Sequence, residues 1–396
     1  MESSDLNRGD IGGDSRNRRK KKKTSSYMVK LGCFVTETDR EDGSLEVAAE
    51  CVGGRKPTHL IVMANGIIGS ASDWRYAAKQ LVKAYPQDVI VHCSKRNHTH
   101  LTFDGVDVMG ERLAKEVRVL AVIKRHPNLQ KISFVGHSLG GLICRYAIAR
   151  LYEPQTTKSS QAPSDSVVNE SEDASPALHG DRIAGLEPMS FMTFATPHLG
   201  CRGHKQVPMF CGSYAVEKAA SAASGILGRT GRHLFLTDKT DGNPPLLVQM
   251  VNDCEDLKFI SALTCFKRRV LYANIRSDNV VGWRTSSIRR SNELPERQQL
   301  SRNPKYRHIV HIEMAKPPSA NEMIPVDTSN AIQPKTANME EEMIRGLTKL
   351  SWERVDVKFN GISQRILAHN TIQVKNLYIF GKGKDVISHM VDNFLL

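Results

Sequence analysis

The sequence lacks the features that mark secreted, zinc-binding and membrane-spanning proteins. Its eight cysteines, spread over 396 residues, include no C-x-x-C pair, so a thiolate metal site is not indicated. The opening MESSDLNRGD has no apolar signal core, and later apolar runs fall well short of the roughly 20 residues that a membrane span needs. We therefore expect a cytoplasmic protein with reduced thiols, neither secreted nor transmembrane, that needs no metal or cofactor. A nuclear or peripheral-membrane location is the alternative.

The composition is that of a folded protein with an excess of basic residues. Hydrophobic residues make up 40% of the chain and charged residues 24%, which excludes a largely disordered chain. The net charge of +13 raises nucleic acid or an anionic membrane as partners. Much of it lies in residues 1–26, with eight basic and four acidic residues, and in residues 284–307, with seven and two. Because the excess of basic residues is concentrated in these two segments, it does not predict a nucleic-acid partner.

The basic tail, residues 1–26, ends in RNRRKKKKTSS and is too polar to bury a core. We expect it to be disordered. A contact with an anionic membrane, a nuclear import signal and a solvated arm are its possible roles.

Short β-favouring runs alternate with helical patterns from residue 27 onward. Several runs are continuously apolar, which is typical of parallel strands that are covered on both faces. Helical spacing occurs at Gly110–Pro127 and Leu139–Tyr152. The alternation predicts one doubly wound, mostly parallel α/β domain over residues 27–396. The predicted strands are His59–Ala64, Asp88–Ser94, Lys131–Ser138, Ser190–Pro197, Arg269–Ile275 and Trp352–Phe359.

Three segments interrupt the alternation of strands and helices. Residues 153–187 are acidic and of low complexity, which predicts a flexible insertion. Residues 201–265 show no strand pattern and are expected to form a helical cap, whose apolar residues either line an acyl pocket or pack the core. Residues 284–307 are dense in arginine and predict a basic loop, suited at most to an anionic surface or headgroup.

The most specific motif is Gly136-His137-Ser138-Leu139-Gly140, which fits G-x-S-x-G. An apolar strand leads into it and a helix follows, which is the context that a nucleophile elbow requires. Glycines flank the serine because neighbouring Cβ atoms would collide in the strained turn. The turn places the hydroxyl at the positive end of the following helix. Ser138 is therefore the candidate nucleophile, and a tight turn with a buried serine is the alternative.

A serine nucleophile needs a base and an orienting carboxylate, which in such a fold follow the serine in the order acid, histidine. Asp278 comes three residues after the predicted strand Arg269–Ile275, and His369 lies in a predicted loop after Trp352–Phe359. Ser138, Asp278 and His369 thus form the predicted catalytic set. The weaker alternatives are the acids Asp241, Asp253 and Asp256 and the histidines His308, His311 and His389.

Two backbone amides are expected to stabilise the oxyanion. One belongs to Leu139, directly after the nucleophile, and the other to Ile67 in the glycine-containing loop after the strand His59–Ala64. Asn65 stands where many hydrolases carry histidine, and its amide can fix the loop by hydrogen bonds. No Lys-Ser/Thr pair follows these glycines, so a nucleotide-binding loop is not indicated.

Several long blocks resemble the plant serine esterases of the DUF676 family, a lipase-like branch of the α/β-hydrolases. The blocks are Ala64–Trp74, Gly105–Val117, Phe134–Tyr152, Phe194–Pro208, Val280–Arg290 and Ala368–Lys375. The resemblance runs from about residue 28 to the C-terminus. It implies an α/β-hydrolase fold, hydrolysis of lipid esters, and catalytic roles for the same three residues. It also implies that His198 lies near the site, as a pocket-lining or loop-shaping residue.

Motif and resemblance together predict a serine hydrolase that cleaves carboxylic esters, of the acylglycerol or lysophospholipid type, through an acyl-enzyme. A lipid or a small ester is the expected substrate. Two alternatives stay open. One is a non-catalytic binding or receptor protein on a hydrolase scaffold. The other is an acyltransferase that uses an alcohol in place of water.

Overall fold

A computed structural model describes residues 24–30, 33–39, 44–51, 54–119, 127–155, 180–201, 227–240, 242–316, 335–361 and 364–396. The strands are β1 (Thr24–Lys30), β2 (Cys33–Asp39), β3 (Leu45–Cys51), β4 (His59–Ala64), β5 (Val89–Cys93), β6 (Lys131–His137), β7 (Tyr152–Glu153), β8 (Arg182–Ile183), β9 (Glu187–Phe194), β10 (Arg268–Asn274), β11 (Ile309–Glu313) and β12 (Glu353–Val357). The helices are α1 (Arg75–Ala84), α2 (Val106–Val119), α3 (Leu139–Leu151), α4 (Gly228–Leu234), α5 (Leu246–Gln249), α6 (Phe259–Thr264), α7 (Trp283–Ser287), α8 (Lys335–Leu347), α9 (Gln364–Thr371), α10 (Leu377–Phe380) and α11 (Lys384–Asp392).

Ten of these strands form one sheet in the order β1-β2-β3-β5-β4-β6-β9-β10-β12-β11. The six from β5 to β12 in this order run parallel, and they are the six strands that the sequence predicts. Antiparallel strands flank them at both edges. The order, with helices on both faces, is that of an α/β-hydrolase, so the predicted fold class is confirmed.

The edge strands β1, β2 and β3 are absent from the sequence prediction. In β2, buried and more exposed residues alternate, because one of its faces lies outside the core. Strands covered on one face carry fewer apolar residues and give a weaker signal than the continuously buried β4.

Two apolar clusters cover the opposite faces of the sheet. Leu60 and Val62 of β4 belong to the cluster that contains the buried faces of α2 and α3. Ile61 and Met63 belong to the other cluster, with side chains from α1 and α11. Successive side chains of a strand point to opposite faces, so the apolar run in β4 anchors both layers of helices.

The boundaries of two predicted segments differ from those in the structure. The predicted tail, residues 1–26, overlaps β1, which begins at Thr24, and residues 1–23 lie outside the described residues. The ends of the predicted insertion 153–187 are ordered, because β7 pairs with β8 and the Tyr152 hydroxyl donates to Asp181 at 2.7 Å. Residues 156–179 of the insertion lie outside the described residues.

The predicted cap contributes to the core where it is described. Residues 227–240 and 242–265 include α4, α5 and α6, and Leu234 and Leu236 are buried in the same cluster as α2 and α3. These two side chains therefore pack the core, the second of the two interpretations given above. Residues 202–226 of the cap lie outside the described part of the chain.

Arginines of the predicted basic loop are paired inside the fold. Arg289 is buried and donates to Asp356 at 2.9 Å and to Glu313 at 2.8 Å. Arg290 contacts Glu341 at 2.6 Å, and Arg284 pairs with a glutamate of α8. These three arginines are therefore paired with carboxylates of the chain itself.

The expectation that all eight cysteines are reduced is wrong for one pair. Cys33 and Cys51 form a disulfide between β2 and β3. The antiparallel register places the two residues opposite each other, a juxtaposition that their separation in the chain does not reveal. Five described cysteines are free, namely Cys93, Cys144, Cys201, Cys254 and Cys265. No helix in the described ranges combines the length and apolar character needed to cross a bilayer.

Candidate active site

Ser138 occupies a strained turn between β6 and α3. Its φ of 54° and ψ of −127° lie in a region that residues other than glycine rarely adopt. Its N–H donates to the carbonyl of Phe194 at the end of β9, at 2.8 Å. The backbone of the elbow is thereby held against the neighbouring strand. The side chain stands at the N-terminal end of α3, where helix dipoles favour negative charge.

The structure brings Ser138, His369 and Asp278 together in one hydrogen-bonded row. The Ser138 Oγ lies 2.9 Å from His369 Nε2, and His369 Nδ1 lies 3.0 Å from Asp278 Oδ2. All three side chains are buried. Since a carboxylate only accepts, Nδ1 carries the proton and Nε2 is left free to accept from the serine hydroxyl.

His369 lies in helix α9 and not in a loop, which corrects the sequence prediction. The helix has eight residues and includes histidine, asparagine and threonine, which are modest helix formers. Short helices of this kind depend on packing for stability. Here the buried Ala368 and the adjacent Ile372 join the cluster beneath the helix.

Asp278 accepts hydrogen bonds at both of its oxygens. The N–H groups of Val280 and Val281 donate to Oδ1 at 2.9 Å each, and Asn274 Nδ2 donates to Oδ2 at 2.8 Å. Burial acts to raise the pKa of this carboxyl, but the charge of His369 and the donated hydrogen bonds outweigh it and hold the pKa below its ordinary value. Asp278 is therefore an ionised acceptor that fixes the tautomer of His369.

Sequence reasoning missed Asn274. The sequence feature that could have identified Asn274 is its position as a polar residue at the end of β10, directly after the buried run Val270–Ala273. A buried amide at the carboxyl end of a parallel strand needs a partner, and here that partner is the proposed acid.

His137, the variable residue of the G-x-S-x-G motif, also contacts the site. Its Nε2 donates to the carbonyl oxygen of His369 at 2.7 Å, and the two rings lie 4.7 Å apart. Burial, together with the charge of His369, holds the pKa of His137 well below its ordinary value. A neutral His137 thus anchors the backbone of α9 at the residue that faces Ser138.

The loop after β4 packs directly on the elbow. A Cβ at Gly66 would lie 2.8 Å from the Cβ of Ser138, so only glycine allows this approach. Asn65 Nδ2 donates to the carbonyl of Asn97 at 2.9 Å, as the sequence suggested an asparagine here would do. The Ile68 N–H donates to the Thr102 hydroxyl at 3.0 Å, which fixes the other side of the loop.

The two predicted oxyanion donors lie on this loop and at the elbow. Ile67 is held between the fixed residues Asn65 and Ile68. Leu139 is the first residue of α3, so its N–H has no acceptor within the helix. The N–H of Ser138 itself is used by Phe194.

His198 is fully buried next to β9, and its side chain does not join the row of three residues. Its Nε2 lies 3.0 Å from the hydroxyl of Thr193, and its backbone N–H donates to the Thr285 carbonyl at 3.2 Å. Burial, and the charge of Arg145, hold the pKa of His198 well below its ordinary value. These bonds tie the segment that follows β9 to Thr193 and Thr285.

The alternative acids and histidines are engaged elsewhere. Asp253 accepts from backbone N–H groups of α6, and His311 Nδ1 lies 3.0 Å from Asp356. His308 pairs with Asp385 at 2.9 Å and His389 with the Tyr272 hydroxyl at 3.0 Å. Asp256 is exposed, and Asp241 lies outside the described residues. Among the residues that the structure describes, no group of three or more histidines, cysteines or carboxylates could hold a metal ion.

Comparison with known families assigns the chain to a family. The model of the family described as "Putative serine esterase (DUF676)" matches residues 54–288, which is more than half of the chain. The chain belongs to this family. The matched range includes Ser138 and Asp278 and ends before His369.

Two yeast proteins are similar to more than half of the chain. "Putative lipase ROG1" of Saccharomyces cerevisiae is 31% identical over 238 residues, which cover 59% of this chain and 29% of that protein. "Putative lipase C4A8.10" of Schizosaccharomyces pombe is 29% identical over 241 residues, which cover 59% and 26%. The chain thus spans less than a third of the length of these relatives.

Two solved esterase structures are also similar. Carboxyl esterase 2 of Tuber melanosporum has 12% identity and a TM-score of 0.37, with 92% of this chain and 87% of that chain covered. The propeptide form of the lipase BlEst2 of Bacillus licheniformis has 14% identity and a TM-score of 0.35, with 60% and 40% covered.

Proposed function

We propose that the protein is a serine hydrolase of carboxylic esters, in which Ser138 is the nucleophile, His369 the general base and Asp278 the residue that orients the base. The observation that carries the proposal is the row from the Ser138 Oγ to His369 Nε2 at 2.9 Å and from His369 Nδ1 to Asp278 at 3.0 Å. This is the tautomer and the geometry that a base needs to take the proton of a serine hydroxyl.

The reaction then follows the usual course of acyl transfer. Ser138 Oγ attacks the ester carbonyl while its proton passes to His369 Nε2, and the imidazolium formed is stabilised by the ionised Asp278. The amides of Ile67 and Leu139 stabilise the oxyanion. The imidazolium returns the proton to the leaving alcohol, and a water activated by the same histidine hydrolyses the acyl-enzyme.

A lipid ester of the acylglycerol or lysophospholipid type is the proposed substrate. Ile68, in the proposed oxyanion loop, and Val280, two residues after Asp278, both have exposed side chains. Apolar residues at these positions suit a substrate whose acyl chain avoids water. The names of the yeast relatives, which call them lipases, point to the same class.

Labelling by a fluorophosphonate probe tests the nucleophile. The folded wild type should be labelled, Ser138→Ala should not, and the matched control Ser388→Ala, at an exposed serine of α11, should label as the wild type does. Loss of the nucleophile should also lower kcat on p-nitrophenyl butyrate by roughly 10⁶-fold. A folded wild type that is neither labelled nor active would favour the non-catalytic receptor.

A substrate panel tests the finer assignment. Wild-type protein should hydrolyse long-chain monoacylglycerols or lysophospholipids with a higher kcat/KM than the short-chain ester, and Ser138→Ala should hydrolyse neither. A preference for the short ester would overturn the lipid assignment and leave the esterase intact. Transfer of the acyl group to an added alcohol in excess of hydrolysis would identify an acyltransferase.

A further inference from the structure

Helix α10 presents three consecutive large side chains to solvent. Leu377, Tyr378 and Ile379 are 42%, 97% and 60% exposed, and together we call them the apolar ridge. Single exposed apolar residues are common on protein surfaces, but a contiguous exposed apolar patch marks a site of interaction.

The ridge is held rigidly by its neighbours. Asn376 caps the helix, and its Oδ1 accepts from the N–H groups of Tyr378 and Ile379 at 2.9 and 3.3 Å. Phe380, the last residue of α10, is buried, and its N–H donates to the Asn376 carbonyl at 2.8 Å. The N–H groups of Tyr378 and Ile379 are therefore paired within the chain. Pairing of these donors lowers the cost of moving this part of the helix into an apolar medium.

The chain segment around the ridge is basic. Residues 372–384 contain three lysines and neither aspartate nor glutamate. Lys382 and Lys384 are exposed just after the ridge, and Lys375 precedes it. Lysines near an anionic lipid surface each gain binding energy from it, and tyrosine favours the boundary between apolar chains and headgroups.

The ridge is connected to the proposed active site. It begins six residues after the end of α9, the helix that carries His369. Lys375 contacts Asp73 at 3.2 Å, and Asp73 accepts from the N–H of Ser70 in the loop that holds the proposed oxyanion donor. A surface that binds the ridge would therefore lie close to the elements that build the site.

We infer that the apolar ridge and its flanking lysines dock the protein on an anionic lipid surface, with the three side chains inserted among the headgroups. Charge complementarity favours this occupant. The size of the patch does as well, because three side chains suffice for a membrane wedge, whereas a stable protein interface uses about 20 residues or more on each side. The inference deepens the proposed lipid-ester hydrolase, but binding itself requires no catalysis.

The test measures sedimentation of full-length Ser138→Ala protein with vesicles, so that no ester is consumed. Vesicles of equal parts phosphatidylserine and phosphatidylcholine should bind the protein, and vesicles of phosphatidylcholine alone should bind it at least about tenfold more weakly. Replacing all three ridge residues by serine should weaken binding to the anionic vesicles at least about tenfold. Replacing Lys382 and Lys384 by glutamine should weaken it about fivefold for each lysine.

The controls separate the ridge from other surfaces. Met314→Ser, at a 67% exposed methionine outside the ridge, should bind as Ser138→Ala does. Neutralising Lys20–Lys23 to glutamine tests the basic tail, and the effect of the ridge substitutions should persist in that background. Unfolding midpoints should show that the ridge variant is folded.

A direct reporter of insertion completes the test. Tyr378→Trp should give a blue-shifted emission with anionic vesicles, beyond that of the three native tryptophans. Unchanged vesicle binding by a folded ridge variant would overturn the inference. So would self-association of Ser138→Ala that the ridge substitutions abolish, because that result would assign the ridge to a second copy of the chain. Failure of esterase activity alone would leave the inference standing.

Discussion

Replacing Asp278 by asparagine should reverse the tautomer of His369. The Oδ1 position receives two backbone N–H groups, from Val280 and Val281. An amide NH₂ placed there would face two donors, so the amide oxygen of the variant must take this position. The NH₂ group then faces His369 Nδ1 and donates to it. The imidazole proton moves to Nε2, which can no longer accept the proton of Ser138.

The expected loss follows from the role of the tautomer. An equivalent change in serine proteases lowers kcat by about 10⁴-fold, which corresponds to about 5.5 kcal/mol in the barrier. The fold should survive the change. Asn274 Nδ2 would face the new NH₂ group, but its Oδ1 has no partner among the described residues. Rotation of the Asn274 amide can therefore supply an acceptor, at a cost in stability of about 1–3 kcal/mol.

The assay is steady-state hydrolysis of p-nitrophenyl butyrate by folded protein, with KM expected to change little because the lost interaction acts in the transition state. Asp356→Asn is the matched control, since Asp356 is also a buried and hydrogen-bonded aspartate, and its kcat per folded molecule should stay near the wild-type value. Retention of more than about a tenth of kcat by Asp278→Asn would refute the tautomer argument.

Three further variants test the oxyanion loop and the buried charges. Gly66→Ala should lower kcat by about 10²-fold or more in a folded protein, because the new methyl group would lie 2.8 Å from Ser138 Cβ and displace the loop; a kcat within threefold of wild type would contradict this. Asp356→Asn should lower the free energy of unfolding by about 3–5 kcal/mol in urea titrations, because it removes a charged partner of the buried Arg289. Burial acts to raise the pKa of Asp356, but its hydrogen bonds and Arg289 hold the pKa below the ordinary value. The difference in the free energy of unfolding between wild type and Asp356→Asn should therefore have its full size above about pH 4 and become smaller as the pH falls further. Burial lowers the pKa of His59 to about 3. Below about pH 6.5 the unfolded chain therefore binds a proton at this imidazole, whereas the folded chain does not. As the pH is lowered from about 6.5, this residue should therefore decrease the free energy of unfolding by up to about 1.4 kcal/mol per pH unit. The same urea titrations should show a weaker dependence of this free energy on pH for His59→Gln.

Much of the central sheet and the place of the proposed nucleophile can be predicted from local sequence. Strands such as β4 and β6 are continuous apolar runs, and burial on both faces requires that composition. Ser138 is marked by glycines at short, fixed distances, because the steric demands of the turn act within a few residues. Asp278 and His369 could be proposed from their order and from the strands before them.

Short apolar runs and close glycine spacing are local patterns. Because of this, the sequence by itself determines the parallel strands and the strained turn at Ser138. Only the tertiary structure decided the contacts between residues that lie far apart in the chain. It brings His369 to Ser138 across 231 residues, pairs Cys33 with Cys51, and buries Arg289 against Asp356. The sheet register and the packing of helices on the sheet create these contacts, and neither can be predicted from the spacing of residues along the chain. The exposure of side chains is also decided by the tertiary structure, since Leu377, Tyr378 and Ile379 stand in solvent while the adjacent Phe380 is buried.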